Sequence, residues 1–181
     1  MKITLSFLSI LFASWGAISI LNNWNIQPSS AIQFTIKGPL GTTVKGNLAI
    51  SSSKISFDTS NLSGSSFAIA LSVISINTDN KKRDDHLKKQ EFFGVEQFPL
   101  IHFQTTSIQK TADGKYIAKG NLTIKSFTKP VSIGFRFQEH GVDANFQGDF
   151  IINRLDYGIG SKSILIGNEV FITISVAARK G

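Results

Sequence analysis

Apolar and polar residues alternate along most of the chain after residue 30, and this period of two predicts β-strands with one buried face. The alternation recurs in eight stretches, whose first apolar residues are Ile32, Val44, Phe67, Ile101, Tyr116, Val131, Val142 and Val170, and Ile55 and Phe57 are candidates to extend one of them. Turn signals separate most of the stretches, at Gly38-Pro39, Ser51-Ser52-Ser53, Asp113-Gly114, Lys129-Pro130 and His140-Gly141. Asp113-Gly114, between two alternating runs, predicts a hairpin.

One segment between two of these strands departs from the alternation and has a helical period. Asp79 or Asn80 can cap its N-terminus, and His86 and Gln90 fall on one face, four residues apart. We therefore expect a short helix that lies across the sheet and ends before Gly94.

Eight antiparallel strands with one inserted helix fit either a sandwich of two sheets or a closed barrel. The predicted inward face mixes large phenylalanines with Gly46, Gly120 and Gly148. Such glycines either leave space for a slender ligand or only relieve strand curvature, and the alternation does not choose between these interpretations. No linker divides residues 22–181, so we expect one domain there.

The N-terminal segment, residues 1–21, has a different composition. Lys2 is followed by the apolar run Ile3–Leu21, and Ala17-Ile18-Ser19 offers a small-x-small cleavage site. This pattern is typical of a secretory signal peptide, although the run is also long enough for a retained membrane anchor. The protein is therefore expected to be periplasmic or secreted, or membrane-anchored if the segment is retained.

Composition narrows the possible chemistry. The 181 residues are 41% hydrophobic and 17% charged, carry a net charge of +7 and include no cysteine. Thiolate catalysis, disulfides and cysteine-ligated metals are thereby excluded. His86, His102 and His140 are scattered along the chain, so no metal site and no cofactor are expected. The positive charge favours anionic partners, but the aromatic residues alternate inward, and no nucleic-acid interface is expected.

One run of residues is distinctive. Arg83-Asp84-Asp85-His86-Leu87 is followed by Glu91-Phe92-Phe93 and Phe98-Pro99. Further matching segments are Trp24-Asn25-Ile26, Ile101-His102-Phe103, Gly120-Asn121-Leu122-Thr123-Ile124, Thr128-Lys129-Pro130-Val131, Ile152-Asn153-Arg154-Leu155-Asp156-Tyr157-Gly158 and Gly167-Asn168-Glu169-Val170. Over roughly residues 24 to 178, the chain resembles the YceI-like family.

The resemblance implies a lipocalin-like, eight-stranded antiparallel β-barrel with a helix near one end. It also implies a polyisoprenoid chain bound in an apolar tunnel, and frequent export to the periplasm. The sequence departs from the usual pattern at the N-terminal end of the family's domain, where an Asp and a His commonly stand at the positions of Gln27 and Gly38. The loop after the first strand is therefore expected to differ.

Seven residues are candidates for ligand contact. The inward-facing aromatic residues are Phe34, Phe103, Phe135, Phe146 and Phe150, each of which is otherwise plain core. Arg83 and His86 can approach the phosphate of a head group. Alternatively, Arg83 pairs with an aspartate within the helix cap and His86 bonds to the backbone at the barrel mouth, which would serve stability alone. Phe92, Phe93 and Phe98 are expected to pack the helix onto the barrel.

The function predicted from these residues is exported lipid binding without chemistry, for transport or storage of a polyisoprenoid or similar long apolar chain. The alternative is a hydrolase or isomerase that acts on an amphipathic substrate at the barrel mouth, with His86 or His102 as base. Lys81, Lys82, Lys88 and Lys89 form a basic cluster that can make transient contact with a membrane surface. A homodimer is a further possibility.

Overall fold

The computed structural model describes residues 22–181, which form a closed antiparallel β-barrel with one helix. The strands are β1 (Asn23–Ile26), β2 (Ala31–Lys37), β3 (Thr43–Ser56), β4 (Ser66–Asn77), β5 (Leu100–Lys110), β6 (Tyr116–Ile124), β7 (Phe127–His140), β8 (Asp143–Asn153) and β9 (Glu169–Lys180). Helix α1 is Lys81–Leu87, and 3-10 turns span Pro39–Gly41 and Arg154–Tyr157. The predicted leader, residues 1–21, lies outside the described residues. Within residues 22–181, no helix has the length and apolarity needed to cross a membrane.

The barrel closes because each strand from β2 to β9 pairs with the next, and β9 pairs back onto β2, with Ile172 opposite Phe34. The short strand β1 pairs with the last residues of β3 and β9, where Trp24 lies opposite Ile55 and Lys180. Strands β1 and β2 both lie between β3 and β9 and together form one strand position of the wall, so the barrel wall has eight strand positions. The predicted fold, an all-β, eight-stranded lipocalin-like barrel with one helix, is confirmed.

The two ends of the barrel carry different connections. At one end lie the turn Gly38–Thr42, the segment 78–99 with α1, and the loop 154–168. We call this end the mouth. At the other end lie the loop 57–65 and the turns 111–115 and 141–142, and we call it the closed end.

The inward-facing glycines accommodate phenylalanine rings. Gly46 lies directly across from Phe34, and a Cβ on Gly46 would overlap that ring and lie 2.8 Å from the carbonyl oxygen of Asn77. A Cβ on Gly120 would lie 2.7 Å from the ring of Phe103. At both positions, an aromatic ring from the neighbouring strand occupies the space over the glycine. These glycines therefore neither leave a gap nor serve curvature alone.

The helix is shorter than predicted. It starts as expected, because the Asn80 side chain caps it by accepting a hydrogen bond from the Arg83 N–H at 3.0 Å. It ends at Leu87, so the prediction that His86 and Gln90 share a helical face is wrong. The N–H of Phe93 turns back to the carbonyl of Leu87 at 3.0 Å, and this fold brings Phe93 to the mouth of the barrel. The chain after Leu87 thus turns back towards the barrel and does not continue the helix.

Two predicted turns are wrong, since Ser51-Ser52-Ser53 and Lys129-Pro130 lie inside β3 and β7. The serines coincide with a register shift against β4, a bulge that bends the strand without ending it. Pro130 is tolerated because β7 pairs with β8 only from Gly134 onward, which leaves the proline on an unpaired side. Val142, predicted to face inward, is exposed in the turn before β8.

Candidate functional site

A cavity of about 520 Å³ lies inside the barrel and opens at the mouth. Every one of the eight strand positions contributes apolar side chains to its wall, for example Ile36, Leu48, Leu71, Ile101, Leu122, Ile133, Ile152 and Ile172. These residues face inward because the side chains of a strand alternate between its two faces. The volume falls within the ordinary range for small-molecule sites, about 300 to 1,000 Å³.

Aromatic rings close the cavity at its inner end. Phe67, Phe135 and Phe146 form its floor, with ring centroids 5.5 to 6.2 Å apart. Beneath them, Phe57 is fully buried, and the Trp24 indole N–H donates to the Phe57 carbonyl at 3.0 Å. The space is therefore a blind pocket, and the tunnel implied by the family resemblance is closed at one end.

The structure brings all seven predicted ligand residues to the wall of this one cavity. Phe34 and Phe150 line its outer half, Phe103 packs against the cores of both halves, and Phe135 and Phe146 lie at the floor. The remaining two, Arg83 and His86, lie at the mouth. That these residues contact a ligand stays a prediction.

Arg83 is anchored within the start of the helix. Its Nε donates to the Thr78 hydroxyl at 2.8 Å, and its Nη2 donates to the Thr78 carbonyl at 2.7 Å. Thr78 in turn donates its N–H, at 2.9 Å, and its hydroxyl, at 2.5 Å, to the buried carboxylate of Asp84. Arg83 thus stabilises the helix cap while it lines the cavity mouth.

His86 also lines the mouth, and its Nε2 lies 3.2 Å from a carboxylate oxygen of Glu91. The pKa of Glu91 is held below its usual value, chiefly by its own backbone N–H and to a smaller degree by His86. His102 and His140 are exposed on the outside of the barrel, away from the cavity. Among residues 22–181, no three acidic or histidine side chains cluster closely enough to hold a metal ion.

Arg154 was not singled out from the sequence, although it lines the mouth and is only 3% exposed. It donates to the carbonyls of Gly167, Ile159 and Ser161 at 2.7 to 2.9 Å, and to the Asn168 side chain at 3.3 Å. Burial lowers its pKa, yet a guanidinium remains protonated in proteins. In the described part of the chain, no carboxylate pairs with it.

Further residues of the mouth also escaped the sequence interpretation. Phe92 and Phe93 were expected only to pack the helix, but both line the cavity as well. Ile166 lines it from a loop that has no periodic pattern, so no alternation could indicate its direction. Gln27 is half-buried, and its side-chain amide donates to the carbonyl of Asn25 at 3.2 Å. It lies outside the cavity wall.

Comparison with known proteins identifies the family of this fold. The profile of the YceI-like domain matches residues 24–178. The chain belongs to the YceI-like family. Protein YceI of Salmonella agona is 28% identical over 178 residues, which cover 94% of this chain and 93% of that protein. A UPF0312 protein of Yersinia enterocolitica is 29% identical over 151 residues, which cover 80% of this chain and 78% of that protein.

Solved structures of other proteins share the barrel. BcnA of Burkholderia cenocepacia superposes with a TM-score of 0.80 at 20% identity, over 84% of this chain and 99% of that one. A polyisoprenoid binding domain from Saccharophagus degradans superposes with a TM-score of 0.67 at 9% identity, over 88% of this chain and 98% of that one. At these identities the likeness establishes the fold alone.

Proposed function

We propose that the protein binds a polyisoprenoid or a similar long apolar chain inside the barrel, for transport or storage and without chemistry. The observation that carries this proposal is the blind, apolar cavity of about 520 Å³. The structural similarity to a polyisoprenoid binding domain supports the same ligand class.

The energetics of such a site are those of hydrophobic burial. Each methylene moved from water into the cavity contributes about 0.8 kcal/mol, so ten carbons contribute several kcal/mol before the cost of ordering the chain. The floor of Phe67, Phe135 and Phe146 limits how deep the chain can reach. A polar head group then lies at the mouth, near Arg83 and His86. No carboxylate lines the described cavity wall, and the Glu91 carboxylate at the mouth is paired with His86 at 3.2 Å.

The proposal includes a location and a source for the ligand. We place the working domain in the periplasm or outside the cell, on the ground of the N-terminal signal pattern, or on a membrane if the segment is retained. The basic cluster Lys81, Lys82, Lys88 and Lys89 supports transient contact with an anionic membrane, where each lysine near the surface contributes about 1 kcal/mol. A homodimer stays a prediction.

A pair of matched substitutions tests the ligand site. Ile174 faces the cavity and Thr173, its neighbour on β9, faces solvent. Ile174→Trp fills the cavity, whereas Thr173→Trp adds the same side chain outside it. Native mass spectrometry of protein purified without detergent is expected to show a lipid adduct in the wild type and in Thr173→Trp, and a loss of the adduct in Ile174→Trp.

The control for folding is circular dichroism, which should be the same for all three proteins. An absence of lipid from the wild type, or equal lipid in the two variants, would contradict the proposal.

The hydrolase or isomerase alternative is supported by one observation, the His86–Glu91 pair at the mouth. It requires His86 as base, because His102 faces away from the cavity. His86→Ala would abolish turnover of an amphipathic ester or alkene substrate under this alternative. Under the proposed function, His86→Ala keeps the lipid adduct, and the variant and the wild type do not differ in turnover of these substrates.

A further inference from the structure

In the loops of the mouth, three large apolar side chains project into solvent. Leu40 is 98% exposed, Ile164 is fully exposed and Leu165 is 54% exposed. They belong to two loops, and residues of both loops, Pro39 and Ile166 among them, line the cavity opening. Scattered exposed apolar residues need no explanation, but these three are grouped at the entrance of an apolar cavity.

The first loop holds Leu40 outward with a closed turn. The Gly38 N–H donates to the Thr42 carbonyl at 2.8 Å, and the Thr42 hydroxyl donates to the Pro39 carbonyl at 2.7 Å. Leu40 itself has a φ of 55°, in the left-handed region that disfavours a side chain as large as leucine. The turn thus keeps an apolar side chain in water, on a backbone that would suit glycine better.

The second loop is held at both of its roots by the buried Arg154. The guanidinium binds the carbonyl of Ser161 at 2.9 Å and that of Gly167 at 2.9 Å, so the residues between them, including Ile164 and Leu165, project beyond the barrel. The Gly167 N–H also donates to the Lys37 carbonyl at 2.8 Å, at the end of β2. That bond places the two loops side by side on one rim.

The charged residues of the two rim segments are all cationic. Residues 37–45 contain Lys37 and Lys45, residues 158–168 contain Lys162, and neither segment contains an aspartate or a glutamate. Apolar tips flanked by cations fit the interface of a bilayer, where apolar groups enter the acyl boundary and lysines remain among anionic head groups.

We propose that this rim, Leu40 together with Ile164 and Leu165, is a docking surface for a lipid bilayer that contains anionic lipids. The surface is continuous with the cavity opening, so docking would place the entrance against the apolar layer. This inference rests on the proposed function, because a protein that binds a long apolar chain needs contact with the membrane that supplies the chain. It is separate from the lysine cluster of α1, which offers charge without apolar tips.

Site-specific labels on the full chain test the docking orientation. Since the sequence contains no cysteine, Ile164→Cys provides a single site at the rim, and Ala112→Cys provides a matched site in a turn at the closed end. Each protein, purified as the producing cell makes it, is labelled with a polarity-sensitive fluorophore. It is then mixed with vesicles of phosphatidylethanolamine and phosphatidylglycerol, or of phosphatidylcholine alone.

We expect a blue shift for the label at position 164 with the anionic vesicles, a smaller shift with phosphatidylcholine, and none for the label at position 112. Unchanged emission at position 164, or a larger shift at position 112, would overturn the proposal. A shift at position 164 that grows with protein concentration without vesicles would also overturn it, in favour of contact with a second copy of the chain.

Substitutions on otherwise wild-type protein separate apolar insertion from charge. Replacement of Leu40, Ile164 and Leu165 by serine should weaken vesicle binding about tenfold or more, measured by co-sedimentation. Val142→Ser, which removes an exposed apolar side chain at the closed end, and Ile164→Leu, which keeps the tip apolar, should leave binding unchanged. Equal binding by the triple serine variant and the wild type would refute the proposal.

The lipid adduct distinguishes this inference from the proposed function. The triple serine variant should still carry the adduct seen by native mass spectrometry, because none of the three tips belongs to the cavity wall. A wild type that binds vesicles through the rim but carries no adduct would remove the proposed function and leave the docking surface. A wild type that carries the adduct but does not bind vesicles through the rim would remove the docking surface and leave the proposed function.

Discussion

The two ends of the barrel are held together by different interactions. At the closed end, Phe57 contacts the rings of Phe67, Tyr116, Phe135, Phe137 and Phe146, with centroids 4.8 to 5.8 Å apart. At the mouth, buried polar groups such as Arg154 and Asp84 hold loops and a seven-residue helix through hydrogen bonds to backbone groups and to Thr78. Apolar packing resists local opening, whereas loops held by a few hydrogen bonds open more easily.

The closed end therefore stabilises the fold, whereas the mouth controls entry to the cavity. The aromatic cluster stabilises the fold and also forms the floor of the cavity, so the same side chains set the depth of the cavity. Four experiments test this comparison.

The largest effect is expected at the closed end. Phe57→Ala should reduce the free energy of unfolding by about 3–5 kcal/mol, because it leaves a cavity among five other rings. Phe93→Ala removes a half-buried side chain at the mouth and should reduce the free energy of unfolding distinctly less. Urea unfolding monitored by circular dichroism measures both, and equal losses would break the comparison.

A second substitution acts on the wall. Gly46→Ala places a methyl group against the ring of Phe34 and the carbonyl of Asn77, so it should cost about 1–3 kcal/mol through overpacking and displace the ring. The expected readout is a lower melting temperature together with less bound lipid in native mass spectrometry. The adjacent, outward-facing Lys45→Ala is the control and should change neither.

The helix cap should have a smaller and local effect. Asn80→Ala removes the acceptor for the Arg83 N–H and should cost about 1 kcal/mol, whereas Asn80→Ser keeps an acceptor and most of the stability. Hydrogen exchange should accelerate in α1 and remain unchanged in the strands around Phe57. Faster exchange at both ends would show that the ends are coupled.

The smallest effect is expected from the exposed ion pair at the closed end. The pKa of Asp143 is lowered, first by a hydrogen bond from Arg179 at 2.8 Å. A lowered pKa in the folded state means that the pair stabilises above the unfolded pKa of about 3.9 and that this contribution disappears as the pH falls through the lowered value. Unfolding of Asp143→Asn and of wild type should therefore differ slightly at neutral pH and converge in acid. A difference that grows in acid would contradict the assignment.

The sequence predicted the parts of the structure that depend on periodicity. Inward residues such as Phe34, Phe103 and Phe146 could be identified because alternation fixes the face of a side chain once one face is buried. The wall of the cavity was predictable for this reason. Strand β1 was missed because four residues with one buried side chain, Trp24, show no period.

The mouth was predicted less well, for a physical reason. The position of Arg154 depends on carbonyls between Ile159 and Gly167, which belong to a loop without periodic pattern. Local preference predicts turns at Ser51-Ser52-Ser53 and Lys129-Pro130, but pairing with neighbouring strands overrides that preference. Contacts between distant segments decide such positions, and the local sequence does not encode them alone.

The point at which the chain enters the barrel has one more consequence. Asn22 is bonded through its carbonyl to the N–H of Phe57 at 2.9 Å, so residues 1–21 connect to the floor side of the barrel and not to the rim. The point of chain entry and the rim therefore lie at opposite ends of the barrel, so a bilayer docked at the rim would leave Asn22 on the side that faces away from it.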